Sequence, residues 1–205
     1  MAVITNYTTL QTAVGDYLAR SDLTSYIPNF VQNWEERFYR DSSNWAQWME
    51  SALSITIASS VAAVPSDYLG IKTAYISGQT RLPLKRVSLE QLYSRYPRNS
   101  GASTPAFFAR NGTNFEFGPV GSDGLVMAGT YYAKPTLLRD DSDGINWLIT
   151  NAPDLCLYGA LIEAQPFLMN DKRISVWAEF YKYALDTYRS QHAEEEYDAP
   201  MMVVA

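Results

Sequence analysis

Apolar residues recur at helical spacing near both ends of this chain and lose that spacing in the middle, and the change of period limits the fold more than any other feature. In YTTLQTAVGDYLAR, Leu10, Ala13, Val14, Tyr17 and Leu18 stand at i, i+3, i+4, i+7 and i+8, one face of an amphipathic helix. Thr8 and Gln11 have the spacing of a capping box at its start. SDLTSYIPNFVQNWEERFYRD continues the pattern through Ile27, Phe30, Val31, Trp34 and Phe38, and Pro28 suits a first turn, where its missing N–H would be unpaired anyway. The brief Ser21-Asp22 connection predicts two short antiparallel helices.

After Asp41 the texture changes. SALSITIASSVAAVP and LGIKTAYISGQTRLPLKRV are rich in β-branched residues and broken by Pro65, Gly70, Gly78 and Pro83, as strands and turns require. SLEQLYSRY predicts a short helix from Ser88 that stops before Pro97. AFFARNGTNFEFGP places Asn111-Gly112 between two alternating runs, the pattern of a two-residue type I′ hairpin. GLVMAGTYYAKP reads as a further strand.

Helical spacing returns beyond RDDSDG. NAPDLCLYGALIEAQPFL directs Leu155, Tyr158, Leu161, Ile162 and Ala164 inward, with Pro153 near its start and Pro166 set to end it. NDKRISVWAEFYKYALDTYRSQHAEEE carries Ile174, Trp177, Tyr181, Ala184, Leu185 and Tyr188 along one stripe, capped by Asn170 or Asp171. Each stripe needs an apolar partner, so the expected fold class is α+β: a helical bundle of N- and C-terminal helices with an inserted β-rich subdomain and an extended C-terminal arm. The expected boundaries are 1–49 and 143–196 for the helices of the bundle, 50–142 for the β-rich subdomain and 197–205 for the arm.

Composition narrows the function classes. At 205 residues with 47% apolar and 19% charged residues, the chain has the make-up of a globular protein with a substantial core. A net charge of -6 argues against a general nucleic-acid binder, which needs clustered Lys and Arg. A lone cysteine, Cys156, excludes an intrachain disulfide framework. With no apolar run of spanning length and no basic, apolar leader, the expectation is a soluble, unexported protein without membrane contact.

The search for chemistry yields structural readings. His192 is the single histidine and is expected as a solvated residue at a helix end; Cys156, between Leu155 and Leu157, is expected as a buried small hydrophobe. RDDSDG fails as a calcium loop: with Gly144 at position 6, Arg139 falls at 1 and Thr150 at 12, where acidic ligands belong. NGT at 111–113 matches a glycosylation sequon but reads as the hairpin turn, and the glycines form no phosphate-binding motif. The acidic pairs Glu35-Glu36 and Asp140-Asp141 could be offered as acid and base of a glycosidase, but adjacent residues on a helix point in different directions, and both pairs are expected on a solvated face. The expectation is a non-enzyme without cofactor or metal. The 15 Tyr, 8 Phe and 5 Trp are unusual. Trp34, Trp177 and Tyr181 fall on helical stripes and are expected in the core, whereas Trp45, Trp48 and Trp147 stand near helix-to-strand transitions as candidates for core or subunit interface.

The N-terminal signature resembles the opening of bacteriophage head-to-tail adaptor proteins, written R.DL...IP.FI..AE.R..R, and is similar to the tail tubular protein A type of short-tailed phages, with a relative in a long-tailed phage as the other option. Arg20, Asp22, Leu23, Ile27, Pro28, Phe30, Glu35, Arg37 and Arg40 stand at the matching positions, with Val31 for Ile and Trp34 for Ala. VPSDYLGIKTAYISG resembles the family's P.D.L....V...G stretch, with Ala74 for Val. The resemblance implies a structural component of the virion neck, assembled in the host cytoplasm: a dodecameric ring below the portal that continues the DNA channel and carries the tail nozzle or tube proteins. Double-stranded DNA would pass without specific binding.

The resemblance also implies a role for the unusual end of the chain. In such adaptors the C-terminal segment docks on the portal, and Tyr197, Pro200, Met201, Met202, Val203, Val204 and Ala205 supply an apolar anchor after the acidic run Glu194–Glu196. Other readings of the whole chain are a carbohydrate-binding or hydrolytic virion protein using the β-rich middle, and a free-standing oligomeric scaffold.

Overall fold

The structure, a computed structural model, describes residues 3–78, 83–97, 103–119, 123–168 and 171–197, with backbone alone from 194 onward. The chain divides into a helical unit, residues 1–48 with 135–205, and a β-rich unit, residues 49–134. The architecture is α+β.

The helical unit begins with α1 (Tyr7–Leu18), which buries Leu10, Ala13, Val14 and Leu18 and leaves Tyr17 half-buried. Its cap is not Thr8 with Gln11. Asn6 caps the helix, accepting from the Thr9 backbone N–H at 2.9 Å, while the Thr9 hydroxyl accepts from the Asn6 N–H at 3.0 Å. The box is shifted by two residues because Asn6, not Thr8, takes the extended backbone that a cap needs. Ala19 then ends the helix in the left-handed region at φ 52°, and a 3-10 turn over Ser21–Tyr26 leads into α2 (Ile27–Arg40).

The expected stripe of α2 is buried: Ile27, Phe30, Val31, Trp34 and Phe38 are all at most 3% exposed. After the β-rich unit, α4 (Trp147–Asn151) and α5 (Pro153–Glu163) follow, and α6 (Arg173–Tyr197) closes the unit. Asn146 caps α4 through its Oδ1, which accepts from Ile149 N–H at 3.0 Å. α5 does not present one face. Leu155, Cys156, Leu157, Gly159, Ala160 and Leu161 are buried around most of its circumference, because α1, α2, α4 and α6 all pack on it, and the strip through exposed Asp154 is the part left open. Of the inward residues expected there, Tyr158 and Ile162 are only half-buried.

The β-rich unit holds two sheets around one core. The first is antiparallel, in the order β1 (Glu50–Thr56), β7 (Val126–Ala133), β3 (Tyr68–Ile76). The second is β2 (Val61–Ala63), β6 (Asn114–Gly118), β5 (Phe107–Asn111), β4 (Lys85–Arg86), with β4 parallel to β5. Alternate residues point inward from both sheets, among them Leu53, Ile76, Phe108, Phe115, Phe117 and Met127. The helix from Ser88 is α3 (Leu89–Arg95), capped by a Ser88–Gln91 box. The hairpin is offset by one residue from expectation: Asn111 pairs with Asn114, so the turn residues are Gly112 and Thr113, and Gly112 takes φ 59° at the first position, as in a type II′ turn.

The tightest point in the helical unit is where α2 crosses α5. A Cβ added at Gly159 would overlap the Trp34 indole ring, so this glycine lets the largest fully buried side chain lie against the α5 backbone. In an open helix Gly→Ala gains about 1 kcal/mol. Here Gly159→Ala is expected to lower stability by about 1–3 kcal/mol through overpacking, measured by urea unfolding followed in tryptophan fluorescence.

Candidate functional site

Residues of the N-terminal signature meet the return of the chain from the β-rich segment, and Glu35 is the centre of that meeting. The expectation of a solvated face fails for Glu35, which is 1% exposed. It lies between Val31 and Phe38 on the inward stripe, a placement visible in the sequence but overruled there by its charge. Three donors converge on its carboxylate: Leu138 N–H at 3.1 Å, Asn146 Nδ2–H at 3.1 Å and the Tyr39 hydroxyl at 3.4 Å. Asn146 thus caps α4 with one side-chain atom and holds Glu35 with another. Glu36, the neighbour, faces outward and accepts from Gln32 Nε2 at 2.9 Å.

The other polar positions of the signature also tie segments of the helical unit together. Arg20 pairs with Asp22 and donates to the Phe167 carbonyl at 3.1 Å. Arg37 pairs with Glu163 of α5, and Arg40 donates to the Glu36 carbonyl at 3.1 Å. Arg173, outside the signature, caps the end of α1 by donating to the Tyr17 carbonyl at 2.9 Å and the Leu18 carbonyl at 3.3 Å. These are architectural contacts. None is arranged as a catalytic pair.

Trp48 and Trp147 come together as a parallel stack, centroids 5.0 Å apart, at one end of the helical unit. Trp48 Nε1–H donates to the Tyr188 hydroxyl at 3.0 Å, which itself donates to the Asn44 carbonyl at 2.7 Å; Trp45 Nε1–H donates to the Tyr39 carbonyl at 2.9 Å. All three indoles are half-buried and keep an open side. His192 is not a simply solvated helix-end residue: it packs on Tyr188 and Trp147 at ring distances of 4.5 and 5.3 Å. Trp34 and Trp177 lie in the core as expected, and half-buried Tyr181 accepts from Trp34 Nε1–H at 3.3 Å.

Cys156 is fully buried, and burial pushes its thiol well above the usual range, the opposite of an activated nucleophile. In RDDSDG, Asp141 Oδ1 accepts from the N–H groups of Asp143 and Ile145 and so closes a polar loop. Among the described residues no cluster of His, Cys, Asp and Glu is placed to hold a metal ion, and no helix is long and apolar enough to cross a membrane. A groove of about 720 Å³ on the β-rich unit is lined by Val87, Leu92, Arg95, Tyr96 and Phe107, with Glu90 as its carboxylate. Of the expected arm, Tyr197 ends α6, and residues 198–205, with Pro200, Met201, Met202, Val203, Val204 and Ala205, lie outside the described residues.

A family model described as SU10 adaptor protein matches residues 5–204, nearly the full chain. The chain belongs to the SU10 adaptor family. This makes it a protein of the phage head-to-tail adaptor type. A comparison with curated proteins finds no match. Within the matched region, Arg20, Glu35 and Arg37 each join separate segments of the helical unit.

Burial dominates the titration of Glu35 and pushes it up to about 7, against the opposing pull of the bonds from Leu138, Tyr39 and Asn146. A carboxyl that is harder to ionise when folded favours the native state at low pH, and that contribution fades as pH rises through the folded value. The adaptor is therefore expected to lose stability between about pH 4.5 and 7 by on the order of 3 kcal/mol from this group. Glu35→Gln should flatten that slope, measured by urea unfolding at pH 5 and pH 8; an unchanged slope would assign the pH dependence elsewhere.

Proposed function

We propose that this adaptor is a non-enzymatic structural component of the virion neck. It assembles as a ring, a dodecamer by its likeness to tail tubular protein A, below the portal. The ring continues the channel for double-stranded DNA and gives the tail nozzle or tube proteins their platform. The family match over residues 5–204 carries this reading. The polar network around Glu35, which joins helices rather than presenting reactive groups, is consistent with it.

Ring assembly needs two different faces on each subunit, both with apolar or aromatic surface. The stacked pair Trp48 and Trp147, with Trp45, all half-buried, are the proposed subunit-interface residues. The segment Tyr197 to Ala205 is the proposed portal-docking arm. Proline at position 200 is a poor residue for a helix interior, and burial of Met201, Met202, Val203 and Val204 would contribute roughly 1.5–3 kcal/mol each before ordering costs. Repeated around a ring, even weak arms give high avidity. The acidic balance of the chain suits a conduit that repels DNA phosphates.

Electron microscopy of the protein mixed with portal should show a ring seated below the portal, and a failure to form any such complex would remove the reading. A chain truncated after Glu196 is expected to fold normally by circular dichroism, because among the described residues the last well-buried one of α6 is Tyr188. It should co-purify with portal at least ten-fold more weakly than the full chain; equal co-purification would rule out the arm.

A further inference from the structure

α6 has an apolar inner face and a second apolar row that the helical unit covers only in part. Trp177, Ala184 and Tyr188 are buried on the inner face. On the outer face Val176, Phe180 and Tyr183 stand at i, i+4 and i+7 and are 47%, 50% and 74% exposed, one side of the Phe180 ring stacking on Tyr158 of α5 at a centroid distance of 5.2 Å and the rest lying open. A continuous row of three large apolar side chains on one helix is a surface that calls for a partner.

The charges beside the row indicate which partner. Lys172, Glu179 and Asp186 follow one another at seven-residue steps along one flank, with Lys182 on the same side. All four are exposed, and none takes part in an ion pair among the described residues. In an antiparallel pair of helices, equivalent flanks meet. Two α6 helices crossing antiparallel at Phe180 would set Val176 opposite Tyr183 of the second copy, Lys172 opposite Asp186 and Glu179 opposite Lys182. The apolar pair and both charge pairs are centred within about one residue of Phe180, so a single register satisfies all of them.

We propose that the outer face of α6 is a self-association surface through which two copies of this chain pair antiparallel about a two-fold axis near Phe180. A two-fold pair is closed, whereas in a cyclic ring every subunit points the same way along the axis. The pairing itself stands without the adaptor reading. Its consequence rests on that reading: the dimer is a form of the free chain that must part before a ring closes, which holds assembly back until the portal is present.

Sedimentation of the full-length chain over a concentration series tests the pairing. The wild-type chain should show a reversible monomer–dimer equilibrium. Lys172→Asp alone and Asp186→Lys alone should each weaken it by about ten-fold or more, because each places like charges opposite one another. An equimolar mixture of the two variants should recover dimerisation, since each reversed charge then meets its complement. Phe180→Cys should oxidise to a covalent dimer, Cys156 being buried. A wild-type chain that stays monomeric at high concentration, as it would if its own C-terminal segment covered this face, overturns the proposal. Dimerisation indifferent to both reversals, or a mixture that fails to recover it, does so equally. A supported dimer with no portal complex would leave this inference standing while removing the adaptor function.

Discussion

The helical unit depends on a buried carboxylate. Its chain leaves after Trp48 and resumes at Pro135, and the two pieces must be brought together before α5 can fill the centre. Glu35 makes that junction by accepting the Leu138 N–H of the returning segment and the Asn146 side chain that caps α4. An apolar residue at this position could fill the space but would leave the buried Leu138 N–H without its carboxylate partner, a cost of roughly 1–3 kcal/mol. The site therefore accepts a hard-to-ionise carboxyl in exchange for a defined crossing point.

Around that junction the fold is set by volume. α5 is buried around most of its circumference because four helices pack on it, and its glycine, Gly159, allows Trp34 of α2 to lie against its backbone. Trp34 in turn reaches Tyr181 of α6 through its indole N–H. One side chain thus connects three helices that come from opposite ends of the chain. The arginines of the signature, Arg20 and Arg37, add contacts to the Phe167 carbonyl and to Glu163.

Several features were legible in the residues. The stripes of α1 and α2, the Ser88 cap of α3 and the buried nature of Cys156 all follow from spacing and chemistry that act locally. The misreadings share a cause, which is competition between local options. Thr8 and Asn6 could both begin α1, and the backbone chose Asn6; Asn111-Gly112 and Gly112-Thr113 could both turn the hairpin, and pairing of Asn111 with Asn114 chose the second. Glu35 was misjudged because charge is normally a sign of solvent, and only the donors arriving from more than 100 residues away reverse that sign.

By itself the sequence determined where helical and extended periods begin and end, and hence an α+β chain whose helices come from both termini around a β-rich middle. It also carried the resemblance to head-to-tail adaptors. Which helix would be central was a tertiary decision, since the wide burial of α5 arises only when α1, α2, α4 and α6 converge on it. So was the fate of α6, whose inner stripe is covered while Val176, Phe180 and Tyr183 remain outside. Periodicity reports that a face is apolar. Only packing assigns one face to the core and leaves the other for a partner.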